Sequence, residues 1–222
     1  IGEVFDQELK IVSKIRADIG ADEIHDEVKK SMKNMKRSKL EGILLHDIRK
    51  YTEVEIKKIA LLLENLKEQE LISKRGISVY NEKELLKAQS GGIWDIIEIP
   101  YNIFSGESEL ASRAYESYRD SEIHARSILL QGLLTLKSNQ LPKTMTKWKQ
   151  EIKRWEEYCR ERQIDKKEAA IQYVFQQDWI DVCILGIDSS NQLRENISII
   201  NKQVNKLEPL KTKPELLDPR LW

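Results

Sequence analysis

Long apolar runs, net charge and cysteine are all scarce in this chain of 222 residues, and each scarcity excludes something. No stretch approaches the roughly 20 apolar residues of a membrane-spanning helix, and the opening IGEVFDQELK is charged and amphipathic rather than a signal peptide. Lys and Arg together number 37, and so do Asp and Glu. With no basic excess the chain has no general electrostatic hold on nucleic acid or on an anionic membrane. Cysteine occurs twice, at Cys159 and Cys183, without CxxC spacing and without a matching cluster of histidines. Both read as reduced thiols of a soluble cytoplasmic protein, and no metal site is expected.

What is present is an alternation of short apolar runs with longer amphipathic ones. The short runs are LKIVSKI (9–15), EGILLH (41–46), LISKRGIS (71–78), WDIIEI (94–99), SEIHARSI (121–128) and IDVCILG (180–186). Each has the length of a strand. Helical patterns fall between and after them, at 21–37, 52–69, 82–89, 106–119, 148–162, 166–177 and 189–201. Strands separated by helices imply parallel pairing, because a helical crossover is the usual link between parallel neighbours. Polar residues recur where the runs end: His46 closes KLEGILLHD, and Gly76, Ser78 and Tyr80 close LISKRGISVYN. A parallel α/β barrel builds its active site from such strand ends.

Four of these segments resemble the aldo/keto reductase family. GISVYNEKEL resembles its fifth-strand motif, DIIEIPYNIF (95–104) its sixth strand, IHARSILLQGLL (123–134) its seventh, and VCILGIDSSNQLRENI (182–197) its eighth strand with the following helix. They stand in the family's order, in a likeness that runs from about Ile1 to Asn201. The resemblance implies a TIM-type (β/α)8 barrel of which this chain supplies strands three to eight, over residues 1–205, followed by a tail at 206–222. It also implies NADP or NAD as cofactor and reduction of an aldehyde or ketone, sugar-derived carbonyls among the candidates.

In the family a Tyr protonates the carbonyl oxygen, a Lys paired with an Asp lowers the Tyr pKa, and a His orients the carbonyl. IVSKI resembles the third strand and ILLHD the fourth, which assigns Lys14 and His46 to the Lys and His roles. An ammonium favours a nearby phenolate, and an imidazole within hydrogen-bond range polarises a carbonyl. On the cofactor side the resemblance assigns Ser78, Glu98, Arg126, Ser127, Leu129, Gln131, Gly186, Gln192, Glu195 and Asn196. Two neighbours depart from the pattern: Val79 stands for an Asn, and Glu98 for a Gln, which exchanges a donor for an acceptor. Gln192 stands where an Arg would hold a 2'-phosphate, with Arg194 two residues on, so a strong NADPH preference is not expected.

The family's Asp and Tyr precede a segment that looks like IGEVF. The expectation is therefore a longer natural chain, or self-association, that covers two open barrel edges. Tyr51 and Tyr101 do not stand at the position of the family's acid. The alternative function is a catalytically inactive nucleotide-binding or structural subunit lacking that Asp and Tyr. The remaining features read as structure: the basic KSMKNMKRSK (30–39) as a solvated helix face, His25 as surface, and Trp148 and Trp155 as core. Trp222, last in the tail, reads equally as a substrate contact or as packing.

Overall fold

The computed structural model describes residues 9–16, 19–106 and 108–222. The opening segment 1–8, with IGEVF, and residue 107 of the expected 106–119 helix lie outside them. Six strands form one parallel sheet in chain order, β1 (Val12–Ile15), β2 (Leu40–Leu45), β3 (Ile72–Ser78), β4 (Ile96–Pro100), β5 (Glu122–Arg126) and β6 (Val182–Cys183). The helices are α1 (Ile24–Asn34), α2 (Glu53–Glu68), α3 (Glu82–Ala88), α4 (Glu109–Ser117), α5 (Lys149–Glu161), α6 (Lys166–Phe175), α7 (Ser190–Ile200) and a short α8 (Pro214–Leu217). No helix among the described residues is long and apolar enough to cross a membrane.

The chain divides into two compact units, Ile1–Glu98 with Glu116–Glu122, and Ile99–Tyr115 with Ile123–Trp222. In the first, β2 is buried at every position but Glu41 and β4 is buried along its length, even at Glu98, because a parallel strand is covered on both faces. Ile24, Val28 and Met32, four apart on α1, are buried, and α2 presses Ile56, Ile59, Ala60, Leu63 and Leu66 inward against β3. Thr52 and Glu55 form a reciprocal capping box that starts α2. Glycine is sparse enough that α1 and α2 stop on left-handed Lys36 and Glu70, as α5 in the second unit stops on Gln163. In each case the next N–H closes back five residues, to Met32, Leu66 and Cys159. Lys74 on β3 bridges Glu41 at 2.7 Å and Glu122 at 2.6 Å, and these two bonds hold its pKa above the ordinary lysine value.

The second unit is organised by side chains of α5 and α6. Trp155 donates its indole N–H to the Leu134 carbonyl at 2.8 Å, and Trp148 is buried beside the start of α5. Gln172 donates to the carbonyls of Ile199 and Lys202, and Gln176 accepts from the Leu207 N–H at 3.1 Å. Tyr158 donates to the Glu208 carbonyl at 3.0 Å and accepts from the Glu208 N–H at 2.9 Å. The tail is thereby docked along its backbone, and Trp222 donates its indole N–H to the Leu216 carbonyl. β6 is shorter than the 180–186 run: Asp181 and Ile184 bond β5 on either side of two paired residues. As an edge strand it has one neighbour, and Val182, Ile184 and Ile187 are exposed, as are Leu193 and Ile197 on α7.

Gly76 of the GISVYN segment is required by packing. A Cβ there would lie 2.4 Å from Leu44 Cδ2 and 2.8 Å from both Ile96 Cβ and the Ile96 carbonyl oxygen, a backbone atom that cannot step aside. Gly76→Ala is therefore expected to destabilise the fold by about 2 to 3 kcal/mol, read as a lower urea midpoint at unchanged slope.

Candidate active site

The strand ends of the first unit carry the polar residues. Lys14 lies on β1, His46 follows the last residue of β2, Ser78 ends β3, and Glu98 stands opposite Ser78 in the β3–β4 register. Parallel pairing puts all four at carboxyl ends. Glu98 is 1% exposed and Ser78 fully buried. One oxygen of the Glu98 carboxylate accepts from the Lys14 ammonium at 2.6 Å and from the Ser78 hydroxyl at 2.8 Å. The Lys14 side chain is 40% exposed, so its stem runs from solvent down to a buried carboxylate. Val79, fully buried, adds no polar side chain beside Ser78.

The loop that delivers His46 is restrained from several directions. Asp47 is left-handed, with φ at 50°, and receives Arg49 through two nitrogens at 2.7 and 3.1 Å. A non-glycine residue in that region costs about 1 kcal/mol or more, and such strain clusters at functional sites. Lys87 donates to the carbonyls of Ile48 and Tyr51. The Tyr51 hydroxyl in turn donates toward the Arg16 and Ile19 carbonyls at 3.2 and 3.4 Å, tying the exit of β1 to the exit of β2. After β3, Asn81 caps α3 by accepting from the Glu84 N–H, while buried Glu84 accepts from the Tyr80 N–H at 2.8 Å.

In the second unit Arg126 ends β5 and donates to the Ser127 hydroxyl at 3.2 Å. Ser127, Leu130, Gln131 and Gly132 all have positive φ, between 48° and 83°, which coils the loop after β5 tightly past half-buried Leu129. Gly186, between β6 and α7, is exposed. On α7, Ser189 caps the helix by accepting from the Gln192 N–H, and Gln192 accepts from the Asp188 N–H at 2.7 Å. Arg194 donates to Ser190 and Asn191. Glu195 pairs with Lys167 at 2.5 Å. Asn196 is 4% exposed, and its side-chain oxygen has no hydrogen-bond partner.

The two tyrosines set aside in the sequence are structurally committed. Tyr101, 2% exposed, meets the Tyr173 hydroxyl at 3.1 Å and packs edge-on against Trp179 at 5.0 Å between centroids. These rings, with Tyr115, Gln177 and Lys206, line a cavity of about 290 Å³ in the second unit. Sequence reasoning missed Tyr173, Trp179, Arg49 and Lys167, none of which carried a local signal, because their partners lie far away in the chain or, for Arg49, depend on the left-handed turn at Asp47. Among the described residues no group of three or more His, Cys, Asp or Glu side chains is placed to hold a metal ion.

The strand order, the strand-end residues and the helix after β6 converge with a match to the family model described as the aldo/keto reductase family, over residues 2–209. The chain belongs to the aldo/keto reductase family. Solved structures with the same fold include the aldo-keto reductase AKR11C1 from Bacillus halodurans in two forms. Its holo form has a TM-score of 0.69 at 18% identity, covering 90% of this chain and 68% of that one. The apo form has a TM-score of 0.68 at 16% identity, covering 97% and 72%. No curated protein sequence matches the chain. This aldo/keto reductase thus shares an α/β barrel architecture with those enzymes, through six parallel strands with their helices.

Burial leaves a titration signature. Desolvation raises the pKa of Tyr101, Tyr118, Tyr158 and Tyr173, four of the seven tyrosines. A phenol whose folded pKa lies above its unfolded value keeps its proton longer in the fold, so stability is intact below about pH 10 and declines above it. Absorbance titration of the native protein is expected to show phenols that ionise above the ordinary tyrosine range, and Tyr173→Phe to remove one of them.

Proposed function

We propose that this chain carries the nicotinamide dinucleotide site of a carbonyl oxidoreductase, with Lys14 and His46 at the reacting carbonyl. The observation that carries the reading is the alignment of Lys14, His46, Ser78 and Glu98 on four consecutive parallel strand ends in a member of this family. The orphaned Asn196 oxygen is independent support, since it fits an adenine amine. Ser78 and Glu98 would hold the carboxamide, Arg126, Ser127, Leu129 and Gln131 the pyrophosphate, and Gly186, Gln192, Glu195 and Asn196 the adenosine end. The bound dinucleotide supplies the hydride. Lys14 places positive charge beside the developing alkoxide, and His46 orients the carbonyl oxygen by hydrogen bonding.

A second reading, a dinucleotide-binding chain without turnover, is favoured by the tyrosines. Tyr51 and Tyr101 are both buried with their hydroxyls bonded, so neither is placed as a general acid. That acid is usually worth about 10² to 10⁴ in rate. The chain is expected to bind NADH yet oxidise it negligibly with carbonyl compounds; in a form that does turn over, His46→Ala should lower kcat. Robust turnover dependent on Tyr51 or Tyr101 would reverse this assignment.

Both cysteines read as unreactive thiols: burial pushes Cys159 up to about 12 and raises Cys183 as well. At the adenosine end Gln192 is occupied in capping α7 and brings no cation. The gain from a 2'-phosphate is therefore expected to fall short of about a thousandfold, since one charge-assisted bond is worth roughly 1.5 to 3 kcal/mol. Parallel titrations with NADPH and NADH, read by tryptophan fluorescence, measure the ratio. Arg194→Ala tells whether that residue reaches the phosphate.

A further inference from the structure

We propose that the aromatic cavity of the second unit binds a free aromatic α-amino acid, its ring against Tyr101, Tyr173 and Trp179 and its two charges on Lys206 and Glu208 at the rim. The inference goes beyond the dinucleotide reading and does not depend on it. None of the residues assigned to the dinucleotide lines this cavity.

The aromatic walls suit a flat ring. Tyr101 and Tyr173, each 2% exposed, stack at 5.8 Å between centroids, and Trp179 stands edge-on to Tyr101 at 5.0 Å. Rings prefer such offset and edge-on company, so an aromatic guest gains contacts on these walls that an aliphatic one does not. The two phenols share a single hydrogen bond, at 3.1 Å, which uses one of their two protons. The second proton is left for a ligand's π face or hydroxyl. A volume of about 290 Å³ lies at the lower end for ligand pockets, which suits one amino acid and is too small for a dinucleotide.

The rim supplies charges of both signs. Lys206 and Glu208 are exposed, stand two residues apart in the tail, and both line the cavity. Among the described residues neither has an ion-pair partner, and they do not pair with each other. A lone anion would meet Glu208 as a like charge, and a lone cation would meet Lys206 so. An α-amino acid instead brings a carboxylate to the lysine and an ammonium to the glutamate. This part of the tail is fixed by its own backbone: Tyr158 bonds both the N–H and the carbonyl of Glu208, and the Leu210 N–H donates to the Ile103 carbonyl at 2.9 Å. Gly106 lets the loop after β4 close in on the same wall, since a Cβ there would collide with the Tyr173 hydroxyl and with Pro209. Walls already in place keep the ordering cost of binding low.

Calorimetric titration with L-phenylalanine and its fragments tests each part of this assignment. The unaltered chain should bind L-phenylalanine at a single saturable site. L-Leucine keeps both charges and lacks the ring, and should bind about tenfold more weakly. Phenethylamine lacks the carboxylate and 3-phenylpropanoate the ammonium; each should lose about threefold to tenfold at a rim open to water. Lys206→Gln should erase the penalty of phenethylamine and keep that of 3-phenylpropanoate, and Glu208→Gln should do the reverse. Both side chains are exposed, and Tyr158 holds Glu208 through its backbone, so both variants should fold. Absence of saturable L-phenylalanine binding in the millimolar range, equal affinity for L-leucine, or penalties left unchanged by both variants would overturn the proposal. None of these titrations involves a nicotinamide nucleotide, so their failure leaves the dinucleotide reading standing.

Discussion

A carboxylate with 1% exposure has to be matched by donors, and the Glu98 side chain sets the arrangement at the strand ends of the first unit. Removing one partner from a buried charge leaves several kcal/mol uncompensated, so the positions of Lys14 and Ser78 are not independent of Glu98. The cluster ties β1, β3 and β4 at one level. An amide at the same place would have made weaker demands and could have offered a proton.

Around this cluster the loops are held by backbone capture more than by side-chain packing. Lys87 takes two carbonyls of the β2–α2 connection, Tyr51 takes two of the β1 exit, and Asp47 is locked by a two-nitrogen arginine contact. The second unit uses the same device: Gln172, Gln176 and Tyr158 satisfy backbone groups of the segment after α7, which has little regular structure of its own. Loop backbone groups need partners wherever regular ladders stop. Here long polar side chains on rigid helices provide them, so the loops rest on scaffold elements.

The family membership and these details carry different kinds of information. Membership brings the architecture and a class of chemistry; Val79, Glu98 and Gln192 are the positions at which the resemblance to the family's pattern breaks. In the proposed dinucleotide site, two of the three would remove or reassign donors, and the third would leave the adenosine end without a cation at that position. Function on a shared fold is written in such substitutions rather than in the barrel itself.

Local sequence determined the elements. Apolar runs bounded by polar residues became β1 to β5 within a few residues of their expected limits, and Thr52 with Glu55, Asn81, Asp165 and Ser189 each start a helix where a cap is legible. Periodicity suffices there because strand and helix burial repeat over two to four residues. It overextended β6, since pairing at an edge depends on a neighbour rather than on apolarity. Tertiary structure alone decided that Lys14 meets Glu98 across 84 positions, that Tyr101 meets Tyr173 across 72, and that Asn196 is buried with an unpartnered oxygen. Those outcomes depend on which strand ends and helix faces the chain brings together, a long-range property that leaves no mark in the spacing of neighbouring residues.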